Sequence, residues 1–191
     1  MITVQATLVS QTPISFSRPL VIDLGTGKAA SDIEEHWFSR AHIGEDGNAF
    51  IPPQAVKNAL GEVAKYLQEK VPGKGNATYT KNFQAGTLVV DPIVLHGCTE
   101  KTVRKDRLFL PSNPQKKGAR VWKNFPTWDK WKGDVSVILL DPLLESKDGV
   151  KKVHEYLVHA GMFIGLGRFR PRNNGYYGRF TVENFRVAGK A

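Results

Sequence analysis

The sixteen residues Gly165–Phe180, GLGRFRPRNNGYYGRF, constrain the chain more than any other stretch. They hold four glycines, four arginines and four aromatic rings. Glycine weakens helix and strand interiors but admits positive φ and close backbone approach, so this stretch reads as a loop framed by regular elements. Arginine brings a planar fork of donors that suits phosphate, and tyrosine and phenylalanine bring faces on which bases stack. That combination makes Arg168, Arg170, Arg172, Arg179, Tyr176 and Tyr177 candidates for nucleic-acid contact. Gly165, Gly167, Gly175 and Gly178 are candidate points of close approach. The competing reading is a glycine-rich hairpin with solvated arginines.

The framing elements follow from periodicity. Ile2, Val4, Ala6 and Leu8 alternate with polar residues, which predicts a half-buried strand over 2–9. After Pro52-Pro53, Val56, Ala59, Leu60, Val63, Ala64 and Leu67 recur at three and four residues, predicting a helix over 54–67, stopped by Pro72-Gly73. Glu34–Arg40 reads as a short helix and 73–82 as a loop. Leu88–Leu95 is strand-like but holds Pro92, so it is an edge strand, a bend or two pieces. Asp134–Leu140 is a β-branched strand. A second helix begins near Ser146 or Asp148 as N-cap, with Val150, Val153, Leu157, Ala160 and Ile164 on its apolar side and His159 solvated. Phe180, Val182 and Phe185 or Val187 form a last strand. Gly25-Thr-Gly-Lys28 lacks the rest of a phosphate-loop pattern and reads as a turn.

Glu100–Lys132 is the other unusual stretch. It carries ten basic and three acidic residues, most of the chain's formal net charge of +9. A basic balance favours polyanionic partners. Three of the four tryptophans, Trp122, Trp128 and Trp131, lie here with Phe125. They are either a stacking surface or anchors of a long loop on its own domain. Pro111, Pro114 and Gly118 predict a mobile basic flap bearing Lys116, Lys117, Arg120 and Lys123.

The order strand, helix, strand, strand, helix, strand predicts one α+β domain over 1–191 of ferredoxin-like, RRM-like βαββαβ plan. Its insertions are at about 10–51 and 96–132. The single Cys98 allows no internal disulfide, consistent with a reducing compartment such as cytoplasm. No signal peptide or membrane span is expected, nor any metal or cofactor, and no nucleophile-elbow pattern surrounds a serine.

Three segments resemble the RAMP superfamily of CRISPR-associated proteins. Phe50-Ile-Pro-Pro-Gln-Ala-Val-Lys-Asn-Ala-Leu60 resembles the family's "IPGSSLKGALR" segment, which opens its first helix. Gly165-Leu-Gly…Gly175-Tyr-Tyr-Gly-Arg-Phe180 resembles its C-terminal glycine-rich loop, and Val9-Ser-Gln-Thr-Pro-Ile14 resembles its first strand running into "TPLHIG". The chain departs from the pattern at Pro53, Asn58 and Glu62, and Ser15-Phe16 stand where the family has histidine and glycine. The resemblance implies an RNA-binding subunit that polymerises along a guide RNA, or a stand-alone relative of the kind phages also carry. It adds Lys57, the motif lysine, to the candidate contacts.

Three functions remain open on the sequence. The first is non-catalytic binding of single-stranded nucleic acid, with RNA favoured, by a homo-oligomer or ribonucleoprotein subunit. There lysines and arginines contact the backbone, and Tyr176, Tyr177 or Trp122 stack on bases. The second is a metal-independent endoribonuclease, as in the RNA-processing branch of the same superfamily, with His36 or His42 as acid or base. The third is an inhibitor or assembly factor binding a protein partner.

Overall fold

The computed structural model describes residues 1–20, 34–112 and 118–190. Alternating apolar residues place Val4, Ala6 and Leu8 of β1 (Ile2–Ser10) on the covered face of an antiparallel sheet. The sheet also contains β4 (Thr87–Leu88), β8 (Lys132–Leu139) and β9 (Phe180–Lys190), in the order β4-β8-β1-β9. Val135, Val137 and Leu139 of β8 lie on the same face as the β1 apolar set. Gln5, Thr7, Asp134 and Ser136 take the other, as a two-residue period requires.

Helix α1 (Pro53–Leu67) connects β1 to β4, and α4 (Lys147–His159) connects β8 to β9. Between them, α2 (Thr80–Ala85) and α3 (Pro142–Glu145) are short. Pro53 opens α1, where a missing N–H costs nothing, and Ser146 caps α4 by accepting a bond from the Gly149 N–H. The α1 stripe Val56, Ala59, Leu60, Val63 and Ala64 is buried, as are Val153 and Leu157 of α4. Phe83 of α2 stacks on Tyr156 of α4, with centroids 4.2 Å apart. Together these make the chain α+β, the class the periodicities predict. Among the described residues no helix is long and apolar enough to cross a membrane.

Several expectations are corrected. Helix α1 ends at Leu67 as expected, but the stop is not Pro72-Gly73: Gln68 turns left-handed at φ 49° and its N–H bonds back to the Ala64 carbonyl. The stretch 73–82 is not all loop, since α2 begins at Thr80 to bury Phe83. Of the three alternatives for the run holding Pro92, the structure takes two pieces, β4 in the main sheet and β5 (Ile93–Val94) paired with β3 (Phe50–Ile51). His159 is half-buried, its ring 5.8 Å from that of Phe163. The Gly25–Lys28 turn lies outside the described residues.

The basic stretch is the largest departure. Pro111 does not break it, because it is the last residue of β6 (Arg104–Pro111), which pairs with β7 (Arg120–Trp128) as a long hairpin. Arg120 and Lys123 therefore sit in a strand and not in a flap, while Lys116 and Lys117 lie outside the described residues. β7 also pairs with β2 (Ile14–Ser15). Trp128 and Trp131 are core anchors: their indole N–H groups donate to the carbonyls of Thr99 and Thr12.

The glycine loop is docked on this second sheet. The Arg168 N–H donates to the Ser15 carbonyl and the Gly178 N–H to the Pro13 carbonyl, each at 2.7 Å. The Tyr177 hydroxyl donates at 2.8 Å to the buried carboxylate of Asp106, which also accepts from Thr127 at 3.0 Å and pairs with Arg104. The glycines permit this self-packing. A Cβ on Gly178, where φ is +76°, would lie 1.8 Å from the Leu166 carbonyl oxygen, and one on Gly175 would lie 1.8 Å from that of Phe169.

Three substitutions test this packing. Gly178→Ala combines a left-handed backbone with a backbone collision and should cost about 3 kcal/mol or more in urea denaturation. Gly73→Ala, with a similar φ but open space around it, should cost only about 1 kcal/mol. Tyr177→Phe removes a hydrogen bond to a buried charge and should cost about 1.5 kcal/mol by the same measurement.

Candidate nucleic-acid interface

Strand alternation decides which hairpin residues face outward. In β6, Asp106, Leu108 and Leu110 turn inward, whereas Arg107 and Phe109 are exposed. In β7, Arg120 and Trp122 are exposed. Phe109 and Trp122 are direct cross-strand partners, their ring centroids 5.1 Å apart and about half of each side chain open to solvent. Arg107 lies 4.7 Å from the Trp122 ring and Arg120 5.8 Å from the Phe109 ring. Two flat faces thus stand between two guanidinium groups, an arrangement suited to stacked bases and their phosphates.

The structure brings the glycine loop beside the inward face of the same hairpin. The Arg168 guanidinium is sandwiched between Phe125 of β7, at 3.3 Å, and Phe169, at 3.9 Å. Burial and, secondarily, the nearby Arg40 push its pKa down to about 10. Arg40 is neutralised by Glu34 through two bonds of 2.9 Å. Burial raises the Glu34 pKa, but the bonds from Arg40 and the Asn124 N–H outweigh it and hold the carboxyl below its usual range. For Tyr177, burial and the bond to Asp106 raise the phenol to about 12.

The remaining predicted contacts divide. Tyr176 is exposed, and Arg172 is exposed at 3.9 Å from Glu62. Arg170 is held by Glu62 at 2.9 Å, so its charge is balanced within the fold. Arg179 spends its Nε–H on the Met162 carbonyl at 3.3 Å. Gly165, Gly167 and Gly178 take positive φ, and together with Gly175 they face the chain's own backbone or side chains and not open space. Lys57 is separated from this group. A cleft of ≈ 470 Å³ borders α1 at Pro52, Ala55 and Asn58, opposite Gly167, Arg168 and Arg170. At about 100° per residue, Lys57 falls on another side of the helix.

The two histidines also differ. His36 is exposed. His42 lines the ≈ 470 Å³ cleft, where burial and the charge of Arg18 lower its pKa and keep the imidazole neutral at pH 7. Missed by the sequence reading were Arg107, Phe109, Arg18 and Arg40. The signal for the first two was the two-residue alternation of RKDRLFLP, obscured because charges occupy both faces at its start.

No family model matches this chain and no curated protein matches it. Among solved structures, it is similar to a chain of the type III-B Cmr-beta complex bound to cognate target RNA. The TM-score is 0.56 at 13% identity, over 97% of this chain and 60% of that one. A chain of a CRISPR RNA-guided surveillance complex aligns with TM-score 0.41 at 13% identity, over 94% of this chain and 66% of that one. This chain thus spans less than two thirds of the length of either, and the likeness to the Cmr-beta chain is one of fold.

Proposed function

We propose that this chain binds single-stranded RNA without cutting it, as a RAMP-superfamily subunit of a CRISPR-like ribonucleoprotein. The observation that carries the reading is the exposed Phe109–Trp122 pair flanked by Arg107 and Arg120 on hairpin β6–β7. Base stacking is sequence-tolerant, and the guanidinium groups supply backbone contacts. Arg172 and Tyr176 at the loop surface add exposed contacts, Lys123 serves the inward face of the same hairpin, and Arg170 and Arg179, engaged by Glu62 and the Met162 carbonyl, and Lys57, on another side of α1, are lesser contributors. The strand order β4-β8-β1-β9, with one long helix in each crossover, supports naming the domain ferredoxin-like, with the hairpin as its second insertion. The fold likeness to a chain of an RNA-bound complex favours RNA over DNA and a multi-subunit assembly over a monomer.

Binding should weaken steeply as salt rises from about 50 to 200 mM, by release of condensed counterions, in a fluorescence-anisotropy titration with a single-stranded RNA. A flat response would remove the electrostatic account. Trp122→Ala should weaken that binding about tenfold with an unchanged melting temperature, because the ring is 52% exposed. His36→Ala and His42→Ala should leave both affinity and RNA length unchanged on a gel. Metal-free cleavage by the wild type that either substitution abolishes would establish a ribonuclease instead.

A further inference from the structure

The inward face of the hairpin closes one side of another cleft, of ≈ 510 Å³, within the range of about 300–1,000 Å³ usual for small-molecule sites. Leu110 and Pro111 of β6, Phe125 of β7 and Phe169 of the glycine loop give it apolar and aromatic walls. Arg18, Arg40, Lys123 and Arg168 also line it, and its described lining residues include no carboxylate. Arg40 is balanced by Glu34 from outside the cleft, and Lys123 makes one bond to the Ser112 carbonyl at 3.3 Å.

Two features point to an occupant. The Nη1 of Arg168 is buried and has no hydrogen-bond partner among the described residues. A guanidinium N–H removed from water without an acceptor is costly to keep. In addition, Phe169 is held at φ 48°, a left-handed conformation that bulky side chains rarely take. The fold thus bears strain to hold this ring against a guanidinium that has no ionic partner among the described residues, in the lining of a cleft, and such strain concentrates at functional sites.

We propose that this cleft holds one nucleotide unit, its base against the walls formed by Leu110, Pro111 and Phe169 and its phosphate on Arg18, Lys123 and Arg168. A base supplies the flat apolar faces these walls accept. A phosphate supplies the acceptors that match a guanidinium fork. An acidic peptide would satisfy the cations but leave the aromatic walls without a matching face. The proposal rests on the nucleic-acid reading above and adds a base-accepting site on the hairpin face opposite Trp122.

The test uses the full chain and three probes: octa-adenylate, a sugar-phosphate octamer lacking all bases, and AMP, each titrated by calorimetry. The readout is the ratio of octa-adenylate to abasic affinity. Phe169→Gly removes the ring and relieves the strained φ, so its melting temperature should not fall. Its affinity ratio should drop about tenfold while abasic affinity is unchanged. Leu110→Asp places a carboxylate in the wall without touching the loop and should also lower the ratio. Unchanged ratios in both variants, with both strands still bound, overturn the cleft and leave the nucleic-acid reading standing. Failure of the wild type to bind either strand overturns both. A falling melting temperature in Phe169→Gly, with both strands weakened equally, makes the ring structural and also overturns the cleft. AMP binding that Phe169→Gly abolishes identifies a free nucleotide as the occupant, whereas octa-adenylate binding without AMP binding identifies a strand.

Discussion

The buried carboxylate of Asp106 is the contact on which both candidate binding surfaces depend. It gathers Arg104, Thr127 and the Tyr177 hydroxyl, and so joins the two strands of the hairpin to the glycine loop across 71 positions of sequence. A buried charge is tolerated only when several donors meet it at once. This requirement sets the loop's place against β6 and leaves little freedom to the rings and guanidinium groups on either side. Orientation of the Phe109–Trp122 face relative to Phe169 and Arg168 follows from that junction.

Glycine and arginine play roles here that differ from their usual description. The loop glycines bring backbone against backbone: Gly178 against Leu166, Gly175 against Phe169, and Gly167 against Ser15. Their effect on a ligand is therefore indirect, through a loop compact enough to hold Phe169 in a left-handed conformation. Among the arginines, Arg170 is consumed by Glu62 and Arg40 by Glu34. Arg168 is stacked and half-buried, its Nη1 without a partner among the described residues, and Arg107 and Arg120 lie over exposed rings. Net charge draws a polyanion towards a surface, but the local pairing of each cation decides which can meet a phosphate.

The sequence by itself determined the elements whose burial is local and periodic. Alternation over Ile2–Leu8 and the three-and-four spacing from Val56 to Leu67 identify strand and helix because each pattern matches the geometry of one element. Basic charge and the glycine–arginine loop were equally legible, since they are properties of composition. Tertiary structure alone decided that Trp128 and Trp131 are core while Trp122 is exposed, because their indoles find carbonyl partners 29 and 119 residues away. It alone decided that Arg170 is balanced, by a glutamate 108 residues distant, and that a proline-bearing basic stretch pairs as a hairpin. Such outcomes depend on which distant groups meet, and a one-dimensional pattern carries no record of those meetings.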